Sequence, residues 1–355
     1  MISDSHEITV RFFDAHGGDA IWIRYLGNDI QWHNILIDGG YIGSYNAVFK
    51  PVIDAIGAVG ELIDLWVITH IDLDHIGAVV SFIKDGSILD KEKLVKSYWF
   101  NHAGYTISDS SAKVGYRQGI DLRTYLGGIN KLTIEQITTS TGTVDFYGLQ
   151  LTVLSPTAEK IAAADRNWIQ KEKKAAVRIA RAESDHHKKI EDFDPDDFNE
   201  NTEPINGSSI TFILNFKGIS GLFLADGHPT DVVNSLERLK YTPECPLALS
   251  FVKVAHHGSK QNTSPRLLRM IRTGVYVISA NGITNKHPDK ETLARILKYH
   301  TSIGQPVKLV FTANTRQIKA LFNVDDNPQE RYNFTLAFIE DGQSQTTLSY
   351  LPITL

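Results

Sequence analysis

The apolar run Leu65–Thr69 leads directly into His70, Ile71, Asp72, Leu73, Asp74 and His75. A continuous apolar run of this length reads as a strand covered on both faces. The residues that follow, Ile76–Ile83, carry helical spacing. The ionisable side chains therefore occupy the junction between a buried strand and a helix. In extended backbone, residues two apart share a face, so His70 and Asp72 point the same way. Asp74 and His75 can turn onto the same spot from the loop and helix start. Imidazole nitrogens and carboxylate oxygens are the donors that a hard or borderline divalent ion takes. Packing alone gives no reason for so many of them at one strand end.

The pattern recurs. Asp226 ends the apolar stretch FLAD, His256 and His257 end SFVKVA, and His287 precedes Pro288 in a polar loop. Asp226 suits either a carboxylate shared by two ions or a cap for a helix starting near Pro229. Adjacent histidines in extended chain point in opposite directions, so one of His256 and His257 faces the ions. The other orients it or meets substrate. His287 reads equally as an exposed loop residue.

Around these points the chain alternates strands and helices. Strands are expected at Ile8–Phe13, Ala20–Tyr25, Asn34–Ile37, Ser97–Phe100, Leu149–Leu154, Ser209–Phe216, Gly221–Ala225, Leu249–Ala255 and Val275–Ala280. Helices are expected near Ala47–Gly57, at Pro265–Ile271 and at Lys290–Tyr299. Residues 158–190 read as a charged surface helix. The stretch Glu191–Glu203, with seven acidic residues and no basic one, reads as a solvated loop. The tail from Val307 onward is β-rich. Interleaved strands and helices imply an α/β fold with layered sheets.

Composition closes off several classes. At 355 residues and 42% apolar the chain has ample material for a core, and a net charge of −5 carries no basic surplus for nucleic acid. The single Cys245 rules out a disulfide framework or a cysteine-rich zinc site. No stretch approaches the roughly 18 apolar residues of a spanning helix, and the start has no signal-peptide pattern. A cytoplasmic protein without membrane insertion is expected.

The segment HIDLDH resembles the His-x-His-x-Asp-His signature of the metallo-β-lactamase superfamily, in the His-x-Asp-x-Asp-His form of the soluble domain of the DNA-uptake protein ComEC. Other segments are similar to that branch in the same order. These are the opening hairpin with Gly18-Asp19 and Asp38-Gly39-Gly40, then LTVLSP, NGSSITFIL, FLADGH, VAHHGS and NKHP. The resemblance implies an αββα sandwich of two mixed sheets packed face to face with helices outside. It spans residues 8 to about 300 and implies one domain over 1–305 with a charged helical insert at about 157–205, leaving 306–355 as a β-rich extension packed on it. It further implies two divalent ions, Zn²⁺ or Mn²⁺ with Mg²⁺ possible. His70, Asp72 and Asp226 would hold the first, and Asp74, His75, Asp226 and His257 the second. Asp72 stands where the commoner motif has a second His, and Asn206-Gly207-Ser208-Ser209 falls where many relatives carry a third metal-binding His.

Two ions about 3.5–4 Å apart suit hydrolysis of a phosphodiester, whose transition state gathers charge on oxygens. On that reading Asp74 ligates and orients the attacking water. His256 or His287 contacts phosphate or protonates the leaving oxygen. Asn206, Ser208 and Ser209 hydrogen-bond substrate. Lys260, with Lys253, Arg266, Arg269 and Lys286, supplies a small basic track for a nucleotide or nucleic acid. Two other readings are hydrolysis of a carboxylic ester, lactone or amide, and a metal-stabilised interaction protein. The insert would then be a docking surface for a partner or a second copy.

Overall fold

The short β-branched and aromatic runs of the first hundred residues pair with one another almost in chain order. β1 (Ile8–Phe13), β2 (Ala20–Leu26) and β3 (Trp32–Asp38) form an antiparallel meander. β4 (Ile63–Ile68) and β5 (Tyr98–Phe100) then join in parallel. A parallel neighbour needs a crossover, and the helices α1 (Lys50–Ala58) and α2 (Leu73–Lys84) lie in the two connections. The computed structural model describes residues 7–102, 114–133, 135–172, 183–340 and 342–350.

β6 (Thr143–Phe146), β7 (Leu149–Ser155), β8 (Thr211–Phe216) and β9 (Ile219–Phe223) form the antiparallel half of a second sheet. The two-residue strands β10 (Leu247–Ala248) and β12 (Ile271–Arg272) pair only with each other. β11 (Phe251–Lys253), β13 (Val275–Ile278), β14 (Val307–Phe311) and β15 (Phe334–Ala337) extend the second sheet in parallel. β16 (Gln345–Tyr350) returns to pair antiparallel with β1, giving the order β16-β1-β2-β3-β4-β5 in the first sheet.

Side-chain alternation along the strands distributes the apolar residues over three cores. In β4, Leu65 and Val67 face the second sheet, while Trp66 and Ile68 face α1 and α2. The inter-sheet core joins Val10, Phe12 and Ile35 to Leu151, Phe212 and Phe251, with the Phe12 and Phe251 rings edge-on at 5.8 Å. Behind the second sheet, Leu222, Val252 and Tyr276 pack with residues of the helices Pro229–Arg238, Pro265–Met270 and Lys290–Ser302. Helices outside, two mixed sheets within: this is the αββα architecture expected from the sequence.

Two expectations fail in detail. Of the helix expected over 158–190, Ala158–Glu172 is helical, 173–182 lie outside the described residues, and 183–189 are not helical. Glu191–Glu203 is not simply a solvated loop. Ile190 and Phe193 are buried in the outer core, and Asn201 is buried beside His256. Apolar residues among the carboxylates anchor the segment, and a charge count does not see them.

Candidate metal centre

The site lies where strand ends of both sheets meet. After β4, the chain turns through His70 and Ile71, and Asp72 sits in extended conformation at the N-cap of α2. That places Asp74 and His75 in the first turn of the helix, facing inward. Asp226 follows β9, after Ala225 takes a left-handed φ of 41°. It caps no helix. His228 holds the N-cap position of the next helix, and Asp226 is 1% exposed among histidines.

Asp226 is the hub. Its Oδ1 lies 3.3 Å from His75 Nε2 and 3.8 Å from His257 Nε2, and its Oδ2 lies 3.7 Å from His70 Nε2 and 3.4 Å from His256 Nε2. Asp74 Oδ2 is 3.3 Å from His257 Nε2. Asp72 Oδ2 is 3.6 Å from His70 Nε2, with its side chain half-exposed. Donor atoms of His70, His75 and Asp226 lie within 4.8 Å of one another, as do those of Asp74, His75 and His257.

Both adjacent histidines thus reach Asp226, against the expectation that one would turn away. The reason is local. His256 and His257 belong to a tight turn with φ of 46° and 54°, so strand alternation does not apply. Gly258 completes the turn at φ 86°, where a Cβ would strike Pro288. His287 is drawn in as well, its ring 5.5 Å from that of His256, and it is largely buried rather than exposed. Ser209 Oγ lies 3.2 Å from His70 Nδ1. Asn206 Nδ2 lies 3.4 Å from His256 Nδ1. Ser208 Oγ donates to the Ile205 carbonyl. Lys260 is not brought to the cluster: it pairs with Glu291 at 3.5 Å. The other expected cations of a basic track are also engaged. Lys253 is buried on Asp19, Arg266 pairs with Glu237, and Arg269 pairs with Asp196.

A supporting layer escaped the sequence analysis, which took Gly18-Asp19 and Asp38 only as turn markers. Asp38 accepts from Thr69 N at 2.8 Å, from Thr69 Oγ1 at 2.8 Å and from His75 Nδ1 at 2.7 Å. His257 Nδ1 donates to the Ser279 carbonyl at 2.9 Å. Lys253 Nζ donates to Asp19 Oδ2 at 2.7 Å, and Asp19 Oδ1 lies 3.6 Å from His257 Nδ1. A Cβ at Gly18 would overlap the Asp74 carbonyl, which the Asp19 amide meets at 2.9 Å. The readable signal was position: Asp38 ends β3, which pairs with β4, and Asp19 precedes β2, one strand further out.

Electrostatics tie the carboxylates and imidazoles of the cluster together. Burial opposes charge on Asp226, yet His256, His75 and His257 hold it well below the ordinary carboxylate range. Burial likewise opposes charge on His75, but Asp226 and Asp38 push it well above the ordinary imidazole value. His257 is raised against its burial by Asp226 and Asp19. Asp74 is lowered against its burial by His257 and His75. His287 goes the other way, pushed down to about 3 by burial and then by His256. His70 Nε2, His75 Nε2, His257 Nε2 and Asp226 Oδ1 are buried with no hydrogen-bond partner. Buried polar atoms are seldom left so. Converging imidazole nitrogens and carboxylate oxygens fit divalent ions.

Residues 25–144 match the family model described as Metallo-beta-lactamase superfamily. The matched stretch is similar to that superfamily and covers about a third of the chain. The superfamily is mostly metallo-hydrolases, whose members bind dinuclear metal ions. No curated protein matches the sequence. Among solved structures it is similar to a mutant of CmlA beta-hydroxylase, at 12% identity and a TM-score of 0.42, over 98% of this chain and 55% of that one. The chain thus spans about half the length of that structure. Among the described residues no helix is long and apolar enough to cross a membrane.

Proposed function

We propose that this chain is a metallo-β-lactamase-like, metal-dependent hydrolase of esters, with a phosphodiester as its substrate. The observation that carries the reading is the set of buried, partnerless donor atoms on His70, His75, His257 and Asp226. His70, Asp72 and Asp226 would hold one divalent ion, and Asp74, His75, Asp226 and His257 a second. Two such ions supply an activated water and positive charge for the oxygens of the bond being cleaved. The donor set is rich in oxygen, which suits Mn²⁺ or Mg²⁺ as well as Zn²⁺.

The chain's own residues do the rest. Asp74, fixed in the first turn of α2, holds its carboxylate beside His257 and orients the attacking water. His256, partly exposed at the rim, is placed to meet the leaving oxygen. His287, neutral because burial lowers it to about 3, contacts substrate by hydrogen bonding rather than by charge. Left-handed backbone at Asp38, Ala225, His256 and His257 costs about 1–3 kcal/mol per residue, and such strain gathers at functional sites. Because Lys253, Lys260, Arg266 and Arg269 are paired with carboxylates, the site favours a small diester over a long nucleic acid, which calls for a basic track.

The test is turnover of bis(p-nitrophenyl) phosphate and p-nitrophenyl acetate by metal-stripped protein refilled with Zn²⁺, Mn²⁺ or Mg²⁺. Metal-dependent cleavage of the diester that disappears in Asp74→Ala supports the reading. Cleavage of the acetate alone moves the substrate to carboxylic esters. Two bound ions without turnover of either refutes hydrolysis.

A further inference from the structure

Asn262 holds no place among the donor atoms, yet its side chain joins two halves of the centre. It is fully buried in the turn after His257, where its backbone amide donates to the Ser259 carbonyl at 3.2 Å. Its Nδ2 donates to the carbonyls of Asp226 and Gly227, at 3.0 and 3.2 Å. A carbonyl only accepts, so these two bonds settle which end of the side-chain amide is nitrogen. The other end, Oδ1, faces His256 Nδ1 at 3.0 Å. An amide oxygen has no proton to give, and a contact this short calls for one on the ring nitrogen.

Two more asparagines approach the same nitrogen. Asn201 Oδ1 accepts from the Glu203 amide at 2.7 Å, which turns its Nδ2 inward, 3.3 Å from His256 Nδ1 and 3.4 Å from Asn262 Oδ1. Asn262 Oδ1 has two lone pairs, one for the ring proton and one for Asn201. Asn206 Nδ2, at 3.4 Å, is the most distant of the three from Nδ1. Asn201 is delivered by the acidic segment, since its own amide donates to the Gln261 carbonyl at 3.0 Å. A stretch that reads as solvated loop thus braces an amide beside the site.

With Nδ1 engaged, Nε2 is the ring nitrogen turned to the site, 3.4 Å from Asp226 Oδ2 and on the partly exposed side. We infer that Asn262 is a positioning residue, whose amide keeps a proton on His256 Nδ1 and aims Nε2 at the leaving oxygen of the ester. Its two Nδ2 bonds register that ring against the loop carrying Asp226. The proton placement stands on these contacts alone, whereas the leaving-oxygen role rests on the hydrolase reading.

Long-range proton–nitrogen NMR of the metal-free full chain at alkaline pH shows which ring nitrogen of a neutral histidine bears the proton. His256→Gln marks the signal. The parent should carry the proton on Nδ1, and folded Asn262→Ala should shift it wholly or partly to Nε2. A parent protonated at Nε2, or an Nδ1 proton unmoved in folded Asn262→Ala, overturns the inference. Should Asn262→Ala not fold, the parent spectrum decides alone. The second readout is turnover of bis(p-nitrophenyl) phosphate and diphenyl phosphate, whose phenolate is the poorer leaving group, by metal-loaded protein. Asn262→Ala should lower kcat about tenfold or more, and further for diphenyl phosphate, with KM and metal content at the parent level. Equal losses for the two esters, or none, overturn the positioning role. If the parent cleaves neither ester, the hydrolase reading fails by itself, and the spectra still support or overturn the proton placement.

Discussion

Replacing Asp38 by Asn should strip the second ion from the centre while leaving the fold in place. Asp38 is fully buried and receives two bonds from Thr69 and one from His75 Nδ1, at 2.7–2.8 Å. The bond from His75 holds a proton on Nδ1, so that an ion displacing the other ring proton would find Nε2, 3.3 Å from Asp226, free to ligate. In Asp38→Asn the amide oxygen can still accept from Thr69 N. Its NH₂ group then faces His75 Nδ1 as a donor, so the ring proton moves to Nε2, and a protonated nitrogen cannot ligate. Loss of such an orienting partner costs about 10–100-fold in metal affinity, which is about 1.4–2.8 kcal/mol. The assay is dialysis against graded chelator, with ions per chain counted by mass spectrometry and folding followed by circular dichroism. The variant should keep the first ion and release the second at a 10–100-fold lower chelator concentration. A folded Asp38→Asn protein that retains two ions at the parent's chelator concentration refutes both the tautomer argument and His75 as a ligand.

Two further outcomes follow from groups away from the donor atoms. His300 is buried, with Tyr276 Oη 2.9 Å from its Nε2, and burial lowers it to about 4. Its folded value lies below the ordinary 6.5, so its contribution is complete above pH 6.5 and is lost as pH falls from there to about 4; the loss is at most about 3 kcal/mol. His300→Gln, which can still accept from Tyr276, should flatten urea-unfolding stability over that window, and parallel curves would contradict this. Lys253→Met should destabilise by about 3–5 kcal/mol, because Asp19 is left as an unpaired buried charge, whereas Asp19→Asn combined with Lys253→Met should recover most of it. Equal urea midpoints for the single variant and the parent would show that the pair carries no such penalty.

The layers and the donor cluster were legible because both are written in local pattern. Strands announce themselves as apolar runs, and HIDLDH is contiguous. What escaped is what only pairing creates. Asp38 meets Thr69 because β3 lies beside β4, with Leu36 opposite Trp66, and a reading along the chain sees two residues some thirty positions apart. Lys253 reads as a surface cation, yet β11 lies between β9 and β13, and its buried ammonium meets the Val254 carbonyl and the carboxylate of Asp19, brought from the opposite sheet. His256 and His257 defeat strand alternation because both leave the extended region. Residues 158–190 read as a charged surface helix, but Asp185 among them caps the helix at Lys290 and Glu291, accepting from their amides at 2.8 and 3.0 Å. Such a cap, about a hundred residues distant, has no local signature.

β1 lies between β2 and β16, with Ile8 opposite Tyr350. On the ribosome, β1 emerges long before its outer partner, so the first sheet keeps an open edge until β16 is made. Pairings of such sequence separation form slowly, and an unpaired strand edge is a template for another chain. A nascent chain held short of residue 345 would present β1 to its neighbours on a polysome. Residues with no part in the chemistry would in this way govern how much protein escapes aggregation.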